Sequence, residues 1–367
     1  GCGAYCPSSG FFALTTNCVT DSASENGRTT FGSGVATVTT TLANLPPQRL
    51  EITANPEFVK LAITLQDGTA ILGKTPFSQH VPGGNIHIDF TKSGYNSTSR
   101  DLTLDRSTAF KIWLDPEGRL YQSLVRFKCG PNPKQVIFTP DGTELGTSLL
   151  GGYGLEIYEP TTGKKLGGVK LGEHGAVEVV FTRDGATAYA SQMETASVYE
   201  IDRTTREVKR QFDTGGSWTK VLLLSPDEKT LWASNWVSGD VSEIDLVTDT
   251  VTKLADTDRR PNSMDIGPDG RVLYMSNRGK DNPKTYYIPG PEWGTILAID
   301  TTTGTILDAI VGGNQCTGLD VSPDGTLLAF SDFLDNKIRV YSIPPYDTLV
   351  AGGGGRAEDR FEDMIKD

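Results

Sequence analysis

One turn recurs along this chain and constrains its fold more than anything else in the sequence. Apolar strands run into Asp-containing turns at Phe138-Thr139-Pro140-Asp141-Gly142, Phe181-Thr182-Arg183-Asp184-Gly185, Leu224-Ser225-Pro226-Asp227, Ile266-Gly267-Pro268-Asp269-Gly270 and Val321-Ser322-Pro323-Asp324-Gly325. The aspartates stand 43, 43, 42 and 55 residues apart. A second anchor follows each of the first four: Glu159-Pro160-Thr161-Thr162-Gly163, Asp202-Arg203-Thr204-Thr205, Asp245-Leu246-Val247-Thr248 and Asp300-Thr301-Thr302-Thr303-Gly304. Pro fixes φ and Gly accepts positive φ, so both anchors suit tight hairpins. With short β-branched strands between them, each repeat is a four-stranded antiparallel sheet. Such a sheet cannot bury both faces alone and must stack on copies of itself. Radial stacking gives a β-propeller, so the fold class is all-β.

Composition agrees and narrows the function. Gly 41 and Pro 20 supply the turns, and 34 basic against 46 acidic residues leave a net charge of −12. Phosphate-backbone binding needs clustered cations, which excludes nucleic acid as a partner. No run reaches the ~20 apolar residues of a membrane-spanning helix. The three histidines, His80, His87 and His174, share no metal-ligand spacing, so neither a metal nor a cofactor is expected. The turn aspartates resemble a carboxylate set, but in hairpins Asp bonds its own backbone.

The repeats resemble the YVTN family of β-propeller repeats: an apolar strand, S-P-D-G, a strand ending in S-N, then V-x-V-I-D-T-x-T-G. Ala233-Ser234-Asn235 and Met275-Ser276-Asn277 are the matching strand ends, and the resemblance covers residues 117–345. Five Asp turns give five blades, whereas members of that family often have seven, so six or seven stay open. The fifth repeat stops at Pro344-Pro345 without an outer strand. Residues 119–128 parallel the missing piece and are expected to complete the blade built from residues 316–343, closing the ring.

Residues 49–116 carry Asn55-Pro56, Asp67-Gly68, Gly73-Lys74-Thr75-Pro76, His87-Ile88 and Lys92-Ser93-Gly94-Tyr95. This is similar to the PEGA domain, a small β-sandwich of bacterial envelope and secreted proteins, and the resemblance implies export. His80 and His87 are read there as structural. Residues 1–48 form a Thr/Ser/Gly-rich arm, and residues 346–367 a glycine hinge (352–355) with a short amphipathic helix carrying Phe361, Met364 and Ile365.

Among the cysteines, Gly1-Cys2 looks like the end of a bacterial lipobox, leaving Cys2 lipidated, free or paired with another chain. Cys6–Cys18 is expected as a disulfide in a segment with little core. Cys129–Cys316 is expected as a staple across the ring closure.

Candidate binding residues gather at the loops on one face of the repeats: His174, Trp218, Asn235, Trp236, Arg259, Arg260, Asn277, Arg278 and Asp332. Aromatics and arginines there suit stacking and anion pairing, set against a wet channel mouth without a ligand. The 55-residue spacing holds an insertion with Tyr286, Tyr287 and Trp293, a rigid contact surface or a loop folded on its own blade. No catalytic residue set emerges. The reading is an exported, non-enzymatic interaction protein of the bacterial surface (the periplasm is a second location), assembling with copies of itself or with envelope proteins through its tails. The alternatives are a lactonase-type or quinone-dependent dehydrogenase propeller, or a propeller that binds glycans or small ligands.

Overall fold

The structure is a computed structural model that describes residues 45–118, 121 and 124–361. The chain divides into two compact units at the 123/124 boundary. In the first, strand Gln48–Asn55 lies at the centre of a three-stranded sheet, antiparallel to Phe77–Val81 and parallel to Thr108–Trp113. Strands Ala70–Lys74, Lys60–Thr64, Gly84–Lys92 and Tyr95–Leu104 form a four-stranded sheet in that order. Alternation puts Leu50, Ile52 and Ala54 on one face of the first sheet and Ile86, Ile88 and Phe90 on one face of the second. All six are buried in a single core, so the unit is a small β-sandwich. His87 is half-buried at its surface, with Nδ1 2.6 Å from Asp101 and Nε2 3.2 Å from Asp89. The hydrogen bond with Asp101, then that with Asp89, raises its pKa.

The second unit is a succession of antiparallel meanders. The first sheet has strands Pro133–Phe138, Leu145–Leu149, Gly154–Tyr158 and Lys165–Lys170; the second begins at Val179–Phe181, the third at Thr219–Leu224 and the fourth at Pro261–Ile266. Each has four strands, and the fifth has three, Cys316–Val321, Leu327–Asp332 and Lys337–Ser342. Hairpin chemistry follows the sequence: the carboxylates of Asp141, Asp184, Asp227, Asp269 and Asp324 each accept the backbone N–H two residues on, at 2.9–3.2 Å. Glu159, Asp202, Asp245 and Asp300 do the same in the second turn. These carboxylates are engaged by their own turns.

Successive sheets pack face to face, as propeller blades do. Trp232 and Val241 of the third sheet share a core with Met264 of the fourth. Val272, Tyr274 and Ile296 of the fourth share one with Cys316 and Val321 of the fifth. A repeated serine clips neighbours together: Ser148, Ser191 and Ser276 donate to the carbonyls of Val177, Lys220 and Thr317 in the next sheet, at 2.6–2.7 Å.

Three expectations are corrected here. The fifth sheet has three strands among the described residues, and residues 124–128 add none to it. Phe127 instead stacks on Tyr158 of the first sheet at 4.7 Å, and the Gly130 N–H donates to Glu156 at 2.6 Å, which holds this segment on the first sheet. Cys129 and Cys316 are therefore free thiols, the first exposed and the second buried beside Asp332. Finally, the C-terminal segment, as far as Phe361, packs on its own unit. Leu349 of helix Tyr346–Ala351 is buried in the core shared by the fourth and fifth sheets, and the Gly355 N–H bonds the Ile306 carbonyl. Ala357 is fully buried in the core shared by the third and fourth sheets, with Phe361 packed against it. The Asp258 carboxylate, itself buried, accepts the N–H groups of Ala357 and Glu358 at 3.3 Å, which anchors the strap. Cys2, Cys6, Cys18, the N-terminal arm through residue 44, and Met364 and Ile365 lie outside the described residues.

Candidate functional site

Two features of the second unit can meet a partner, and both follow from its repetition. The first is the pair of sheet faces at the ends of the array. Val136 on the first strand of the first sheet stands where Val179, Leu222 and Met264 stand in the next three, and those three are buried against the preceding sheet. No sheet of this unit precedes the first one among the described residues, and Val136 and Phe138 are 64% and 57% exposed. At the other end, Ile338 occupies the position of Val198, Val241 and Ile296, which are 0%, 0% and 1% exposed because the following sheet covers them. Ile338 is 71% exposed and Val340 60%. The two ends therefore present the two complementary halves of the contact that joins sheets inside the chain.

The second feature is a row of loops on one side. A residue with left-handed backbone ends the loop that enters a sheet, at Asn132, Trp218, Arg260 and Gln315, with φ of 51°, 62°, 62° and 60°. That conformation costs a non-glycine residue roughly 1–2 kcal/mol. It turns each carbonyl to accept an N–H from the loop two strands' length away: Leu150, Trp236, Arg278 and Phe333 donate to those four carbonyls at 2.9–3.0 Å. The side chains of Trp218, Trp236, Arg260 and Arg278 are thus delivered in pairs by neighbouring sheets.

Trp236 is the centre of this group. Lys220, Arg278 and Arg260 lie over its ring at 4.2, 5.3 and 5.8 Å. Asp281 is the carboxylate between the two arginines, 3.7 Å from Arg260 and 3.9 Å from Arg278, beyond hydrogen-bond distance of either. Arg278 Nε is buried without a hydrogen-bond partner, while another of its nitrogens donates to Gln315. Burial, then the charges of Lys134 and Arg278, pushes the Lys220 amine down to about 7. Burial pushes the Glu178 carboxyl up to about 7. A cavity of about 380 Å³ opens beside Trp236, lined also by Arg259, Arg260, Lys280 and Arg356.

The structure brings Trp236, Arg259, Arg260 and Arg278 together, and leaves the other expected residues apart. Asn235 is fully buried: its amide donates to Asp240 and Ser242, and its carbonyl accepts Thr214 and Thr219. Asn277 is likewise fully buried, and Asp332 accepts the Gly313 N–H and pairs with Arg339 at 2.6 Å. These strand-end residues turn inward to hold the loops. The His174 side chain is exposed, and its backbone carbonyl accepts Gln192. Trp218 is half exposed beside Trp236. In the insertion, Tyr286 and Tyr287 lie against each other with ring centroids 4.0 Å apart and are exposed, whereas Trp293 is half-buried. Its base is fastened down, because Gln315 donates to the Tyr286 carbonyl at 2.7 Å. Sequence reasoning missed Lys220, Asp281, Lys280 and Arg356. No local pattern marks them, since they converge from separate sheets and from the C-terminal strap.

No family model matches the chain. It is 25% identical over 356 residues to Antigen Lp49 of Leptospira interrogans serogroup Icterohaemorrhagiae, covering 70% of this chain and 77% of that protein. Among solved structures, it is similar to Kuenenia stuttgartiensis hydrazine synthase (TM-score 0.48, 22% identity, 58% of each chain). It is also similar to the Cps50 (Swd1) β-propeller domain of Myceliophteria thermophila (TM-score 0.47, 13% identity, 59% of this chain and 67% of that one). No helix among the described residues is long and apolar enough to cross a membrane.

Proposed function

We propose that this is an exported, non-enzymatic interaction protein of the bacterial cell surface, a PEGA-like sandwich followed by YVTN-like blades, that assembles with further copies of itself through the uncovered faces of its first and fifth sheets. The observation that carries this reading is the exposure of Val136 and Ile338 at positions buried in the intervening sheets. Exposed apolar patches of this kind mark association surfaces. One copy's fifth sheet offers what another copy's first sheet lacks, a heterologous contact that builds rings or filaments. The relative's designation as an antigen supports exposure to the outside, and the net charge of −12 supports a soluble, self-repelling surface elsewhere. Residues 346–361 of the C-terminal segment are occupied on their own sheets, which supports the sheet faces as the surfaces of assembly.

Sedimentation velocity of the full chain tests this. The mass should rise with concentration from micromolar to near-millimolar, and Val136→Asp or Ile338→Asp should each abolish the rise while leaving the far-ultraviolet circular dichroism unchanged. A chain that stays monomeric throughout, or whose association neither variant affects, overturns the reading.

A further inference from the structure

The cavity beside Trp236 brings several positive charges of this acidic chain together. Four cations line it, Arg259, Arg260, Lys280 and Arg356, against the two carboxylates Asp256 and Glu358. Those cations are unevenly satisfied. Arg356 pairs closely with Glu358 and Asp359, at 2.6 and 2.9 Å, and Arg259 reaches Glu292 at 3.3 Å. Arg260 has Asp281 at 3.7 Å, a distance without a hydrogen bond, and Lys280 makes no ion pair among the described residues. Behind Trp236, the unpartnered Nε of Arg278 adds to the same positive field.

We propose that this cavity binds an acidic saccharide, a sugar ring bearing a carboxylate. Arg260 and Lys280 take the carboxylate, since a guanidinium fork and an ammonium both donate charge-assisted hydrogen bonds to it. Trp236 lines the cavity and gives the sugar ring an apolar wall. The oxygen acceptors Asp256 and Glu358 take hydroxyl donors, which a plain inorganic anion does not offer. A volume of about 380 Å³ falls at the small end of the usual range for ligand pockets. Arg356 comes from the C-terminal strap that Asp258 anchors, so the site is complete only in the docked chain.

The test is titration calorimetry of the full chain with glucuronate, glucose and inorganic phosphate in parallel. Glucuronate should bind saturably and more weakly at high salt, with glucose and phosphate each at least about tenfold weaker. Arg260→Gln should weaken glucuronate by about tenfold or more, the loss of one charge-assisted hydrogen bond. Lys280→Gln, at an exposed side chain, should weaken it several-fold without touching the fold, which keeps the test open should Arg260→Gln melt early. Equal binding of glucose, tighter binding of phosphate, no saturable binding of glucuronate, or indifference of glucuronate binding to Lys280→Gln would each overturn the proposal.

Discussion

At the scale of single residues, position in the repeat decides what a polar side chain does. Asn235, Asn277 and Asp332 stand at equivalent strand ends and all are buried, so their polar atoms serve the loops rather than the solvent. Lys220 shows the cost of the opposite situation, a cation half-buried beside other cations. Its amine is pushed down to about 7 from an ordinary 10.5, so between those values the unfolded chain binds a proton that the native chain does not. Stability contributed by this group therefore rises with pH across that window. Lys220→Met should be more stable than the parent at neutral pH, and its advantage should shrink as the pH climbs toward 10. Urea midpoints of both proteins through that range check this, and an advantage that stays level contradicts it. The inward turn of the strand-end asparagines was not legible in the sequence, because a strand-end residue reads alike whether it faces a channel or pegs a loop.

At the scale of elements, turns were legible and pairings were not. Asp-Gly and Thr-Thr-Gly turns are settled by bonds within a few residues, and the observed hairpins follow them. The segment Leu124-Val125-Arg126-Phe127-Lys128 alternates like a strand, but alternation does not name a neighbour. The ring of Phe127 found Tyr158 on the first sheet, and with it went the expected closure and the Cys129–Cys316 staple. The C-terminal strap likewise read as amphipathic, a pattern that says something is covered without saying what. Equivalent positions in different sheets now carry different energetic weight. Ile296→Ala removes a fully packed side chain and should cost about 2–5 kcal/mol. Ile338→Ala, at the matching position of the uncovered sheet, should cost about 0.5 kcal/mol or less in dilute protein. Chemical denaturation of the two variants at low concentration measures the difference, and equal losses would mean that the fifth sheet is covered.

At the scale of the whole molecule, the second unit runs through five successive sheets among the described residues, and the outward faces of the first and fifth carry exposed apolar side chains. The proposed assembly rests on the repeat itself, because every internal contact joins a face like that of Ile338 to a face like that of Val136. Photo-crosslinking tests this most directly. Benzoylphenylalanine placed at position 338 in isotopically light protein, mixed with heavy unlabelled-probe protein, reports which chain covers that face. Adducts joining the light probe to the heavy strand Pro133–Phe138 are predicted. Adducts confined to the probe's own chain would show that the array closes on itself, and an absence of adducts at that strand would show that nothing of this kind covers it; either result contradicts assembly through the sheet faces.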